Sequence, residues 1–263
     1  MAPAFHLEFL DAAWAALAAL PPGVAAYSIA VVFAGYVVLG ISGFGSALTI
    51  VPLLALQWPL TTVVPLVLLL DVPSALLLAR LNLRHVAWPE LRVLVPGMLL
   101  GAAIGTQLAQ WMAHAWALAL LGIYVLTVAV RGWAGMAAPR AKSGRMAPVF
   151  GFAAGVVECL FGMAGPLIVA WLGRRLPDPA ALRATVPACI VTVTLSALAG
   201  MALSGQLAQT IVWSALLPLV VVAFAGTRIG HQVACRLPAR ALQRAIFGLL
   251  ACTGGAMLVR ALA

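Results

Sequence analysis

Charge is what this 263-residue sequence has least of: Asp, Glu, Lys and Arg make up 8% of it, and only 6 residues are acidic. With 65% hydrophobic residues and a mean hydropathy of +1.13, the chain has too much apolar surface for a soluble domain. The four cysteines, Cys159, Cys189, Cys235 and Cys252, stand singly without CxxC spacing. That excludes a disulfide framework or a zinc site and leaves small core filler as their reading, with no metal or cofactor expected. Histidine is absent from the middle of every apolar run: His6, His85, His114 and His231 fall in the N-terminal tail, in loops or near a segment end. Sustained period-2 alternation is missing too, so a membrane β-barrel is excluded. The N-terminus, MAPAFHLEFLDAAWAALAALPPG, has no basic region and carries Glu8 and Asp11, so it reads as a surface segment and not a signal peptide.

What is present is a succession of apolar runs, each long enough to cross a hydrocarbon core roughly 30 Å thick. They fall at 24–57, 60–79, 91–111, 115–131, 147–172, 182–203, 210–227 and 241–260. Backbone polar groups in lipid must be satisfied within their own segment, so an all-α polytopic membrane protein is expected. The net charge of +9 does not point to nucleic acid, because all the Lys and Arg residues except Arg260 are confined to short connections: Arg80, Arg84 and Arg92; Arg131, Arg140, Lys142 and Arg145; Arg174, Arg175 and Arg183; Arg228, Arg236, Arg240 and Arg244. The connections QWPLTT (57–62), WMAHAW (111–116) and SGQLAQT (204–210) carry none. The positive-inside rule puts the basic set in the cytoplasm and the others outside, with both termini outside. Trp58, Trp111, Trp116 and Trp213 near one set, and Trp88, Trp133 and Trp171 near the other, read as two interfacial belts.

Segment 147–172 is basic at both ends, which a single crossing does not satisfy. A re-entrant hairpin broken at Gly162 to Gly165 does, and a Gly-kinked ordinary span is the alternative. The break has a partner: SGFGSALTIVPLL (42–54) aligns with FGMAGPLIVAWLG (161–173) at an offset of 119 residues, and IGTQLAQ (104–110) with AGTRIGH (225–231) at 121. The organisation expected is a surface segment (1–23), a first membrane repeat (24–131), a basic cytoplasmic linker (132–146) and a second membrane repeat (147–263). The charge pattern makes the repeats inverted, each a broken-helix hairpin plus three transmembrane helices. Such repeats place a binding site where the two breaks face each other. Gly101/Gly105 and Gly226/Gly230 have the small-xxx-small spacing of close helix packing.

After each break a half-helix begins with unpaired N–H groups and the equivalent of about half a positive charge. Two such ends attract a small anion without a buried cation. Ser46 suits a cap of the first half-helix and Pro166 the first position of the second. The candidate substrate-binding residues are Ser42, Gly43, Gly45, Ser46, Thr49, Gly162, Met163, Gly165 and Pro166. Two acids interrupt apolar runs, Asp71 in VLLLDVPSALLL and Glu158 in GVVECLFGMAGP. An ionisable residue in a membrane segment is a functional candidate by default. Glu158 is a candidate proton carrier or a packing residue; Asp71 is the second proton-coupling candidate, with a structural role near the pathway as its first reading.

GISGFGSALTIVPLL (40–54), LNLRHVAWPEL (81–91) followed by VPGMLLGAAIGT (95–106), and GVVECLFGMAGPLIVAWL (155–172) followed by LRATVPA (182–188) occur in an order that resembles the sulfite exporter TauE/SafE family of bacterial membrane transporters. The resemblance implies an inner-membrane secondary carrier, an exporter of sulfite, sulfonates or related anions. It also implies that the family's glycine-rich motifs fall on Gly43, Gly45 and Ser46 and on Gly162, Gly165 and Pro166. The chain departs from the family's common glycine triplet at Ser46, Ala164 and Pro166. A passive anion channel and an intramembrane hydrolase using Ser42 or Ser46 are the alternatives, the second having only Asp71 and Glu158 at mid-depth to act as its base. Small anion and lipid are the expected partners, nucleic acid is not, and the oligomeric state is left open.

Overall fold

The computed structural model describes residues 21–42, 45–80, 83–112, 114–133 and 144–234, with 248, 251, 252, 254, 255 and 259 beyond them. Among these residues every regular element is a helix: α1 (Pro22–Ser42), α2 (Ser46–Leu54), α3 (Leu60–Arg80), α4 (Trp88–Trp111), α5 (His114–Trp133), α6 (Ala147–Phe161), α7 (Gly165–Arg175), α8 (Pro179–Leu203) and α9 (Thr210–Ala234). Five described segments are long and apolar enough to cross a membrane, including 22–41, 88–111 and 210–233. Most of the expected surface segment, most of the linker and most of the run 241–260 lie outside the described residues.

Both broken segments fold as hairpins. In the first, a Cβ placed on Gly35 would run into the Ile50 side chain, and the Tyr27 hydroxyl donates to the Leu53 carbonyl at 2.9 Å, so α2 runs back along α1. In the second, the Phe150 and Trp171 rings lie 4.9 Å apart and the Arg174 guanidinium sits 5.5 Å above the Phe150 ring. These contacts join the start of α6 to the end of α7, as two basic flanks on one side require. The glycine breaks have a backbone cause. Gly45 (φ 96°) and Gly162 (φ 68°) occupy the left-handed region, which a side chain disfavours by about 1–2 kcal/mol.

The hairpins enter from opposite ends of the bundle. The first opens beside the start of α3, where Thr62 donates to Gln209 at 2.9 Å. The second opens beside the start of α4, where Arg175 pairs with Glu90 at 2.7 Å. Each is gripped by a helix from the other half of the chain: α4 packs along α6, and α9 along α1. Glycines make both contacts possible, since a Cβ on Gly101 would overlap the Phe152 carbonyl and one on Gly230 the Val37 carbonyl. α3 and α8 pack on each other at the centre. Leu100, Val221, Val130 and Ile123 point outward with more than half their surface exposed, the lipid-facing pattern expected of such helices.

The tryptophan reading holds only in part. Trp111 (86% exposed), Trp116 (70%) and Trp88 (46%) sit on the outside, but Trp171 is 1% exposed and belongs to the core of the second hairpin. A residue one turn from a helix end still packs inward when its helix is one arm of a hairpin. Cys159 and Cys189 are buried as expected, whereas Cys252 is exposed; Cys235 lies outside the described residues.

Candidate functional site

The two breaks meet at one small cavity, of about 30 Å3 for a water-sized sphere. That is room for a water molecule or two. Gly45 and Ser46 line it from the first break, Gly162, Met163, Gly165 and Pro166 from the second, and Asp71 and Glu158 from α3 and α6. Of the nine residues proposed from sequence for anion binding, seven are described in full; Ser42 ends α1 but its side chain is not described, and Gly43 lies outside the described residues. Six of those seven line the cavity; Thr49 does not, and its buried hydroxyl has no hydrogen-bond partner among the described residues.

The local chemistry around each acid is specific. Asp71, 7% exposed at the middle of α3, accepts at Oδ1 from the Tyr36 hydroxyl (2.7 Å) and from Ser46 Oγ (2.8 Å). Ser46 therefore does not cap α2. Gly45 holds the N-cap position, no side-chain cap is made, and the serine hydroxyl turns to the carboxylate. That correction has a simple reason: a residue with φ of 96° before the helix favours glycine, which pushes the serine one place into α2. Asp71 is part of the cavity wall, beyond the role near the pathway first assigned to it.

Glu158, 2% exposed, stands one turn before the second break. Its Oε2 accepts from the Ala164 N–H at 2.8 Å, its Oε1 accepts from Thr194 Oγ1, and its own carbonyl accepts from the Gly162 N–H at 2.7 Å. The side chain thus bridges the break, holding the residue before α7 to the end of α6. Pro166 takes one of the first two places of α7, where its missing N–H costs nothing. Tyr124 of α5 donates to the Met163 carbonyl at 2.8 Å and pins the tip from outside the hairpin.

The sequence offset of 119 residues relates these positions. Leu39 pairs with Glu158 and Asp71 with Ile190, and all four line the cavity. Each half therefore contributes one acid, at a place where the other half has an aliphatic side chain. Tyr36 and Thr194 escaped the sequence reading. The available signal was a hydroxyl inside an apolar span, which requires a partner there.

Helices long and apolar enough to cross a bilayer, two broken-helix hairpins and a small cavity between their tips lined by two buried acids are the features of a membrane transport protein. The sulfite exporter TauE/SafE family model matches residues 27–257, and the chain belongs to that family. Over 193 residues it is 37% identical to a Comamonas testosteroni protein described as a probable inner membrane transporter protein, TsaS, covering 72% of this chain and 80% of that one. No solved structure matches the chain. Membership makes the protein a transporter and not an enzyme.

Proposed function

We propose that the protein is a proton-linked secondary carrier of a small anion, with sulfite or an organosulfonate the first candidates, working as an exporter in a bacterial inner membrane. The observation that carries this reading is the single cavity lined at once by both glycine breaks and both buried acids. Two half-helix N-termini supply about one unit of positive charge between them. Two ionised carboxylates outweigh that and repel an anion; two protonated ones leave the positive ends uncovered. Proton and anion binding then favour each other, and by linkage each strengthens the other equally.

In this mechanism Asp71 and Glu158 take protons, and the hydroxyls of Tyr36, Ser46 and Thr194 reorient between the charged and neutral carboxyl groups. The N–H groups of the first turns of α2 and α7 hold the anion. The opposite entry of the two hairpins supports an inverted repeat, with alternating access arising as one hairpin and its gripping helix rock against the other pair. Orientation follows the basic connections, which puts the Glu90–Arg175 end in the cytoplasm.

The test is flux in proteoliposomes loaded in turn with sulfite, sulfoacetate, thiosulfate, sulfate and chloride, with internal pH followed alongside. Saturable flux of a sulfur oxyanion together with protons is the expected result. Flux without proton movement would remove the coupling, and flux that does not saturate would make the protein a channel.

A further inference from the structure

A second cavity, of about 250 Å3, lies between the central one and the end of the bundle that bears the uncharged connections. Thr61, Gln110, Gln206 and Gln209 stand around it, at helix ends and in the connection before α9, while Cys159 and Leu160 close it on the side of the second break. Cys159 follows Glu158 in α6, so neighbouring residues of one helix line the two cavities. No acidic or basic residue is among the described residues that line it.

Its polar groups are unequally committed. Gln209 donates to the Thr61 carbonyl at 3.1 Å and accepts from Thr62 at 2.9 Å, so it is a strut between α3 and α9. Gln206 reaches the Thr106 carbonyl at 3.5 Å, the limit of a hydrogen bond, and little is lost if that amide turns elsewhere. Beneath it the Thr106 hydroxyl meets Cys159 Sγ at 3.4 Å, and the thiol donates to the Ala102 carbonyl at 3.2 Å. Neutral donors suit a passage for anions: a buried acid would repel the ion and a base would retain it, whereas conduction needs contacts that are favourable and weak.

We propose that this cavity is a second anion subsite, a vestibule between the central cavity and the uncharged end, in which the amides of Gln206 and Gln110 solvate the passing ion. The proposal rests on the carrier reading above. The subsite also explains why a chain with so few polar residues places Gln110 and Gln206 there beside the strut Gln209.

The experiment uses the full-length protein with Cys159, Cys189, Cys235 and Cys252 changed to alanine, and adds Gln206→Cys or, as a control, Leu203→Cys. Leu203 is 92% exposed and does not line the vestibule. A membrane-impermeant sulfonated maleimide, whose thioether sulfite does not cleave, is applied to either face and washed out before sulfite flux is measured. Labelling of Gln206→Cys from the uncharged face should abolish flux, and labelling of Leu203→Cys should leave it unchanged. In the otherwise wild-type chain, Gln206→Leu should raise the half-saturating sulfite concentration about tenfold, the loss of one hydrogen bond to a charged group. Full flux after labelling, labelling only from the opposite face, or an unchanged half-saturating concentration would each overturn the vestibule while leaving the carrier intact. Absence of sulfite flux in the wild type would overturn both.

Discussion

Replacing Gly101 with alanine should separate the two halves of the molecule. A methyl group at Gly101 would overlap the Phe152 carbonyl oxygen and lie 2.9 Å from its carbon, and both belong to the backbone of α6. Ordinary carbon contacts need about 3.5–4.0 Å, so α4 and α6 must part by several tenths of an ångström to about 1 Å. Overpacking of that kind costs about 1–3 kcal/mol. For a chain of this size that corresponds to a fall of about 2–12 °C in Tm. Gly173, on α7, is the control: nothing lies within 4 Å of its Cβ position, and alanine there should hold or raise stability because it is the better helix former. Thermal unfolding followed by circular dichroism in lipid nanodiscs reads both. Gly101→Ala as stable as Gly173→Ala would refute the close glycine crossing that joins α4 of one half to the hairpin of the other.

Two further changes probe the site itself. Ser46→Ala and Tyr36→Phe each remove one donor to Asp71, and each should destabilise the protein by about 1–3 kcal/mol, the cost of leaving a buried acceptor short of a partner. Thermal unfolding of the single and double variants measures this, and the double variant should lose more than either alone; unchanged Tm in all three would show that the Asp71 cluster is not held together as described. Gly162→Ala forces a side chain into φ 68°, at a cost of about 1–2 kcal/mol. Its Cβ position has room, with Leu68 Cδ2 3.5 Å away, so the folded protein should survive with reduced flux, and wild-type flux would contradict the need for a left-handed break.

The hairpins were legible because two local signals agreed. Glycine and proline marked the break at 162–166, and basic residues on both flanks of 147–172 required the chain to return to the side it came from. The glycine pairs at 101/105 and 226/230 announced close packing, yet gave no partner; that each helix grips the hairpin of the opposite half is a property of tertiary assembly. Lateral neighbours were hidden for the same reason. Asp71 reaches Ser46 across 25 residues, and Glu158 reaches Thr194 across 36, separations over which apolar periodicity carries no information. Thr49 shows the converse: its place in the first turn of α2 pointed to the break, but its direction around the helix takes it away from the cavity. The Trp171 reading failed because nearness to an arginine suggested an interface, while packing against Phe150 buries the ring.

The central claim is that the acid-lined cavity couples proton and anion movement, and Glu158→Gln tests it most directly. Glutamine keeps the size of the side chain and an acceptor for the Ala164 N–H, but it does not exchange a proton. The steady-state distribution of the transported sulfur oxyanion across proteoliposomes would be measured with a pH gradient of one unit imposed. Each coupled proton contributes about 1.36 kcal/mol per pH unit, a tenfold concentration ratio. With Asp71 and Glu158 each carrying one proton, the account predicts about a hundredfold ratio for the wild type and about a tenfold ratio for Glu158→Gln, which should still bind the anion. Accumulation by Glu158→Gln equal to that of the wild type would contradict it.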